Sequence, residues 1–262
     1  MNFLEEIIKE KQTLIRERKK ICSTEELADK TTYLLKKSRF KTILERPGTF
    51  LIAEIKRASP SRGDLRPDLN VVDIANLYQQ GGIELVSILT EEKFFKGSLN
   101  DLSQVSENTN LSILCKDFII DSYQIREAKV HGADAVLLIA KILSTEELRE
   151  LLRVVKSLKM DAVVEVHNET DLRKIATLSR EIDIIGINHR DLEDFSIDLN
   201  VTAKLLPRIP RNKIVIAESG IGSTLEVSQF KKIGVDGILV GESLMKHGDI
   251  AIKIKEFMGA LR

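Results

Sequence analysis

The feature that most constrains this chain is a period. From residue 50 onward, short apolar β-rich runs alternate with turns and amphipathic stretches. The runs are Phe50–Ile55, Leu85–Leu89, Leu111–Cys115, Asp134–Ala140, Asp161–Val166, Ile182–Ile187, Lys213–Glu218 and Asp236–Gly241. Their starts lie 35, 26, 23, 27, 21, 31 and 23 residues apart. Most lack clean in–out alternation, as expected for parallel strands buried on both faces. The intervening segments carry helix starts and stops. Ser144 with Glu147 and Ser223 with Glu226 read as capping boxes, Asp121 reads as an N-cap, and Gly132 and Gly81-Gly82 read as stops. The weakest helix is the short polar stretch Asn100–Asn110. Eight such units predict an α/β fold, a (β/α)8 barrel. An open doubly wound sheet is the alternative, but no GxGxxG follows the first strand.

The whole chain reads as one barrel domain, residues 1–262, with residues 1–48 an N-terminal helical extension. One helix is expected over roughly Asn2–Lys20, and a second from Ser23, boxed by Glu26, to near Arg46 before Pro47-Gly48. The extension is read as packing over one barrel end. Closure of part of it over a substrate is the second reading.

Barrel chemistry gathers where strands end and βα loops begin. Here the strand ends carry Glu54 and Lys56, Lys116-Asp117, Glu165 with His167, Asn188-His189-Arg190, Glu218-Ser219-Gly220 and Gly241-Glu242-Ser243. Residues i and i+2 share a strand face, so Glu54 and Lys56 point the same way. Two lysines, an arginine and three glutamates at one mouth are costly to bury unless paired or functional. A lysine among other cations is expected to have a lowered pKa, suited to proton donation. The loops Ser219-Gly220-Ile221-Gly222 and Gly241-Glu242-Ser243 stand where such barrels hold a phosphate on backbone N–H groups. Of the four histidines, His131, His167, His189 and His247, none has metal-ligand spacing, and all read as structural or peripheral.

Composition bounds the setting. Lys plus Arg and Asp plus Glu both number 40, so the zero net charge speaks against a general nucleic-acid binder. The chain shows neither an 18-residue apolar run nor a signal-peptide pattern, so no membrane partner is expected. Two cysteines, Cys22 and Cys115, fit a reducing cytoplasm. No metal or organic cofactor is expected.

Those strand ends resemble indole-3-glycerol phosphate synthases of tryptophan biosynthesis. The matching segments are Ala53–Gly63, Ser87–Ser98, Lys116–Ile125, Gly132–Ala140, Val164–His167, Gly186–Leu192, Ala217–Ile221 and Leu239–Met245, in order at all eight strand ends. The resemblance implies a carboxy-lyase that closes 1-(2-carboxyphenylamino)-1-deoxyribulose 5-phosphate to indole-3-glycerol phosphate with loss of CO2 and water. By position it makes Lys116 the general acid and Glu165 the acid/base partner in dehydration. Glu54, Lys56 and Asn188 support the chemistry; Lys56 can meet the substrate carboxylate, and Asn188 and Arg190 orient the anthranilate end. Glu218 shapes the hydrogen-bonding network, and Phe94, Leu137 and Leu239 line the ring pocket. Ser59, Ser219, Gly220, Gly241, Glu242 and Ser243 hold the phosphate. The chain departs from the family pattern at Cys115, at Ser122 and at His189. Cys115 is expected to face the helix layer if Lys116 faces the mouth. Alternatives are another phosphate-binding barrel enzyme, such as a sugar-phosphate isomerase or a Schiff-base aldolase, and a non-catalytic phosphate-binding barrel.

Overall fold

The computed structural model describes residues 3–34 and 36–262. Eight parallel strands close a barrel: β1 (Phe50–Ile55), β2 (Leu85–Leu89), β3 (Ser112–Lys116), β4 (Ala135–Ile139), β5 (Asp161–Val166), β6 (Ile184–Asn188), β7 (Ile214–Glu218) and β8 (Gly237–Val240). Each pairs with its neighbours in sequence, and β1 pairs with β8 to close the ring. The open sheet is thereby excluded. The expected runs match these strands to within two residues at each end.

Register explains the unbroken apolar runs. Ile52, Leu85, Leu114, Ala135, Leu137, Val163, Ile184, Ile216 and Leu239 point inward and fill the barrel. Their strand neighbours, among them Val86, Ile113, Val136, Val164, Ile185, Val215 and Ile238, point outward into a second apolar layer under the helices. Cys115 lies in that outer layer, where burial pushes its thiol up to about 12, so Lys116 faces the mouth as expected.

The helices begin where the caps predict. Capping boxes at Ser144 and Ser223 open α7 (Thr145–Ser157) and the helix Thr224–Ile233. Asp121 caps α6 (Ser122–Val130), in a box with Gln124. The polar stretch near residue 100 is a full helix, α5 (Leu99–Asn108), capped by Ser98. Between β1 and α4 (Val71–Gln80) an unexpected two-residue hairpin pairs Ala58–Ser59 with Gly63–Asp64.

The N-terminal extension differs from expectation. The first helix, α1, runs Phe3–Ile21; the expected start at Asn2 lies outside the described residues. The second does not run from Ser23 to Arg46. It ends as α2 (Thr24–Thr32), and a separate α3 (Phe40–Leu44) follows. Thr31, Thr32 and Tyr33 are poor helix formers, and the start of β5 supplies better partners for the chain beyond them. Asp161 accepts hydrogen bonds from the Ser38 hydroxyl (2.6 Å) and the Lys41 N–H (2.9 Å). Phe40, Ile43 and Leu44 thereby join the interior cluster of the barrel at its N-terminal end. The α1 helix instead reaches the opposite end. Its buried Lys11 grips Asp117 at 2.6 Å, directly after β3, and Phe3 stacks edge-on with Phe94, Phe118 and Phe195. So α3 packs over one end, and the first residue of α1 reaches the mouth.

Candidate active site

A cavity of about 360 Å³ opens at the C-terminal ends of the strands. Its walls include Glu54, Lys56, Ser59, Lys116, Leu137, Glu165, Asn188, Arg190, Ser219, Gly220, Leu239, Gly241, Glu242 and Ser243. Two expected members do not line it. Glu218 lies beneath the wall, fully buried. Phe94 is turned onto Phe3, and the aromatic wall is made by Phe3, Phe95, Phe118 and Phe195. The β2 loop holds no regular period to separate Phe94 from Phe95, and both N–H groups donate to Glu91.

Charge at the floor is organised around Lys116. Its ammonium lies 2.5 Å from Glu218 and 3.6 Å from Glu54, while Lys56 sits 2.6 Å from Glu54. The expectation of a lowered lysine pKa is wrong. Burial acts in that direction, but Glu218, Glu54 and Glu165 outweigh it and hold Lys116 above the ordinary lysine value. Its neighbours at the mouth are chiefly carboxylates, not cations. Burial likewise opposes ionisation of Glu54, yet Lys56 and Lys116 keep it below the ordinary range. Glu218 goes the other way. Burial and the charges of Glu165 and Glu54 push it up to about 7 against the pull of Lys116. Two glycines make the room: a Cβ on Gly186 would strike the Glu218 carboxylate, and one on Gly241 would strike that of Glu54.

Glu165 is held from two sides. Asn188 donates to its Oε2 at 3.1 Å, and His167 Nε2 stands 3.3 Å from its Oε1. His167 and Asn188, with Lys116, overcome burial and lower the Glu165 pKa. His167 is therefore not peripheral, contrary to the sequence reading. A signal existed in the spacing Glu165-x-His167-x-x-x-Asp171, which joins a strand end to the first turn of α8 (Glu169–Ala176). His189 is structural. It stacks on Phe230 and bonds the Ser219 carbonyl and the Thr202 hydroxyl, facing away from the mouth, and burial lowers its pKa.

The rim holds the glycine turns. Ser219 (φ 68°) and Gly220 (φ 78°) are both left-handed, unusual for serine, and His189 pins the Ser219 carbonyl. The N–H groups of Gly222 and Ser223 are occupied by Glu226. The Ser243 hydroxyl reaches the Ile221 carbonyl at 3.3 Å and ties the β7 loop to the β8 loop. Glu242 draws in Arg62 (3.0 Å), Arg190 (3.3 Å) and Lys246 (2.7 Å), so this rim carries more positive than negative charge. Arg190 also donates to Ser61. The buried Ser59 hydroxyl on the cavity wall has no hydrogen-bond partner among the described residues. Among the described residues, no three His, Cys, Asp or Glu side chains are grouped to hold a metal ion.

Comparison with known proteins decides the family. The profile described as Indole-3-glycerol phosphate synthase matches residues 4–257. The chain belongs to this family. A relative of that name from Campylobacter hominis is 45% identical, over 98% of this chain and 99% of its own. Those of Prochlorococcus marinus (strain AS9601) and Thermoanaerobacter pseudethanolicus are 43% and 40% identical, over 99% and 97% of this chain and 90% and 96% of theirs. The chain has the family's carboxy-lyase activity. Solved structures at 12% and 15% identity show the barrel fold alone. Tryptophan synthase from M. tuberculosis superposes with a TM-score of 0.66 at 12% identity, over 87% of this chain and 99% of that one. 3-Hexulose-6-phosphate synthase from Salmonella typhimurium gives 0.63 at 15%, over 81% and 98%. No helix among the described residues is long and apolar enough to cross a membrane.

Proposed function

We propose that Lys116 delivers the proton that drives ring closure and that Glu165 serves the dehydration after it. The observation that carries this is the Lys116 ammonium, facing the cavity in a grip of carboxylates. The substrate's carbonyl oxygen gains negative charge as the ring carbon attacks. An alkoxide is a far stronger base than an amine, so even a strongly held lysine proton transfers to it. The carboxyl group then leaves as CO2, and its bonding electrons restore the ring system. In the last step the new hydroxyl departs as water with one proton delivered to it and another removed from the ring. Glu165, set between Asn188 and His167, is the acid/base group for that exchange.

The rest of the wall supplies recognition. Lys56 and Arg190 meet the carboxylated anthranilate end, which Asn188 helps orient. Leu137 and Leu239 hold the aromatic ring, with Phe118 and Phe95 in the place first given to Phe94. The Ser59 hydroxyl and the Ser219-Gly220 and Gly241-Glu242-Ser243 turns take the phosphate. Glu218 sets the position of Lys116. One barrel domain with its extension carries all of this on a small-molecule substrate. Its two free cysteines suit a reducing, cytoplasmic setting. The test is Glu165→Gln. A fall in kcat of about 10²–10⁴ with little change in KM is expected. A change confined to KM would make Glu165 a binding residue.

A further inference from the structure

His167 is a buried titratable group to which ring closure gives no task. It is 6% exposed and does not line the cavity. It stands directly behind Glu165. Its Nε2 lies 3.3 Å from Glu165 Oε1 and its Nδ1 lies 3.5 Å from Asp171 Oδ2, so one imidazole is clamped between two carboxylates. Both carboxylates are fixed from elsewhere. Asn188 holds the other oxygen of Glu165. Asp171 accepts the His167 backbone N–H at 3.0 Å, and its own N–H is bonded by Asn168, the N-cap of α8.

A neutral imidazole has one N–H and one lone pair, so it would turn a lone pair toward one of these carboxylates. Neither ring nitrogen closes a hydrogen bond of good geometry among the described residues, so the contacts are ion-pair contacts, and only the imidazolium carries a charge that both carboxylates attract. We infer that His167 is a positioning residue: as a buried imidazolium braced on Asp171, it fixes the Glu165 carboxylate toward the cavity and keeps it ionised. This rests on Glu165 acting as the acid/base group. Two more charges bear on the clamp: Lys116 from across the barrel on Glu165, and Lys174 of α8 on Asp171. Burial opposes the charged ring, but Asp171 and Glu165 raise His167 to about 9, the same direction as the geometry demands. The sign for Glu165 follows. With the cation gone, burial is less opposed and its carboxyl holds a proton to higher pH.

The first measurement is NMR titration of the imidazoles in the wild-type chain, whose four histidines make the signals separable. The signal lost in His167→Gln is expected to titrate near 9 in the wild type and at least about one pH unit lower in Glu165→Gln. A His167 ring already neutral at pH 7 in the wild type would overturn the inference. The second is the pH dependence of kcat. In His167→Gln the acid limb is expected to move up by about one pH unit or more, with KM within about twofold and activity recovering as pH rises. In Asp171→Asn, which keeps both His167 and Glu165, the His167 titration is expected to move down. A uniform loss of kcat with an unshifted limb would make His167 structural only. If Glu165→Gln keeps full activity, the acid/base reading of Glu165 fails instead, and the NMR result still decides whether the clamp exists.

Discussion

Replacing Lys116 by methionine removes the cation in ion-pair contact with Glu218, whose Oε1 has no hydrogen-bond partner among the described residues. Breaking a buried pair from one side costs about 3–5 kcal/mol. The structure adds a pH signature to that loss. Glu218 is already raised to about 7 by burial and by Glu165 and Glu54. A raised carboxyl binds a proton in the folded state that the unfolded chain has released. Folding stability therefore falls as pH climbs from the unfolded to the folded value. In the wild type this group's share of the fall ends near 7, after roughly 3 kcal/mol. Without Lys116 the folded value rises further, and the fall continues at about 1.4 kcal/mol per pH unit. Lys116→Met should thus cost least near pH 6 and up to about 2 kcal/mol more by roughly pH 8.5. Urea unfolding followed by circular dichroism measures this, since the chain has no tryptophan. Adding Glu218→Gln to Lys116→Met should flatten the curve above neutrality. Wild-type and Lys116→Met stabilities that run parallel between those pH values would refute the reasoning.

Two further outcomes follow from the site. Arg190→Ala should raise KM for the carboxylated substrate by about tenfold or more, while a decarboxylated analogue loses less; equal losses would exclude carboxylate recognition by Arg190. Gly186→Ala should cost about 1–3 kcal/mol and lower kcat by moving the Glu218 carboxylate off Lys116. Wild-type stability and turnover there would mean that Glu218 has space the geometry denies it.

What the sequence revealed was periodic or local. The strands are legible because two apolar layers force Val, Ile and Leu onto both faces, and the helix starts because Ser144, Ser223 and Asp121 cap residues only a few positions away. Placing Cys115 outward needed only the alternation that sends Lys116 inward. The misses involve partners distant in sequence. The chain leaves α2 at Tyr33 and tucks α3 under the barrel on Asp161, more than a hundred residues away. The upward push on Lys116 comes from Glu54 and Glu218, on strands that only barrel closure brings to it. Phe94 and Phe95 differ by one position in a loop, where no period says which ring turns inward.

The most direct test of proton delivery by Lys116 is turnover of 1-(2-carboxyphenylamino)-1-deoxyribulose 5-phosphate, followed by indole fluorescence against a protein with no tryptophan of its own. The wild type should build the indole, and folded Lys116→Met should be slower by about 10²–10⁴. Indole formation by that variant at near the wild-type rate would contradict the account.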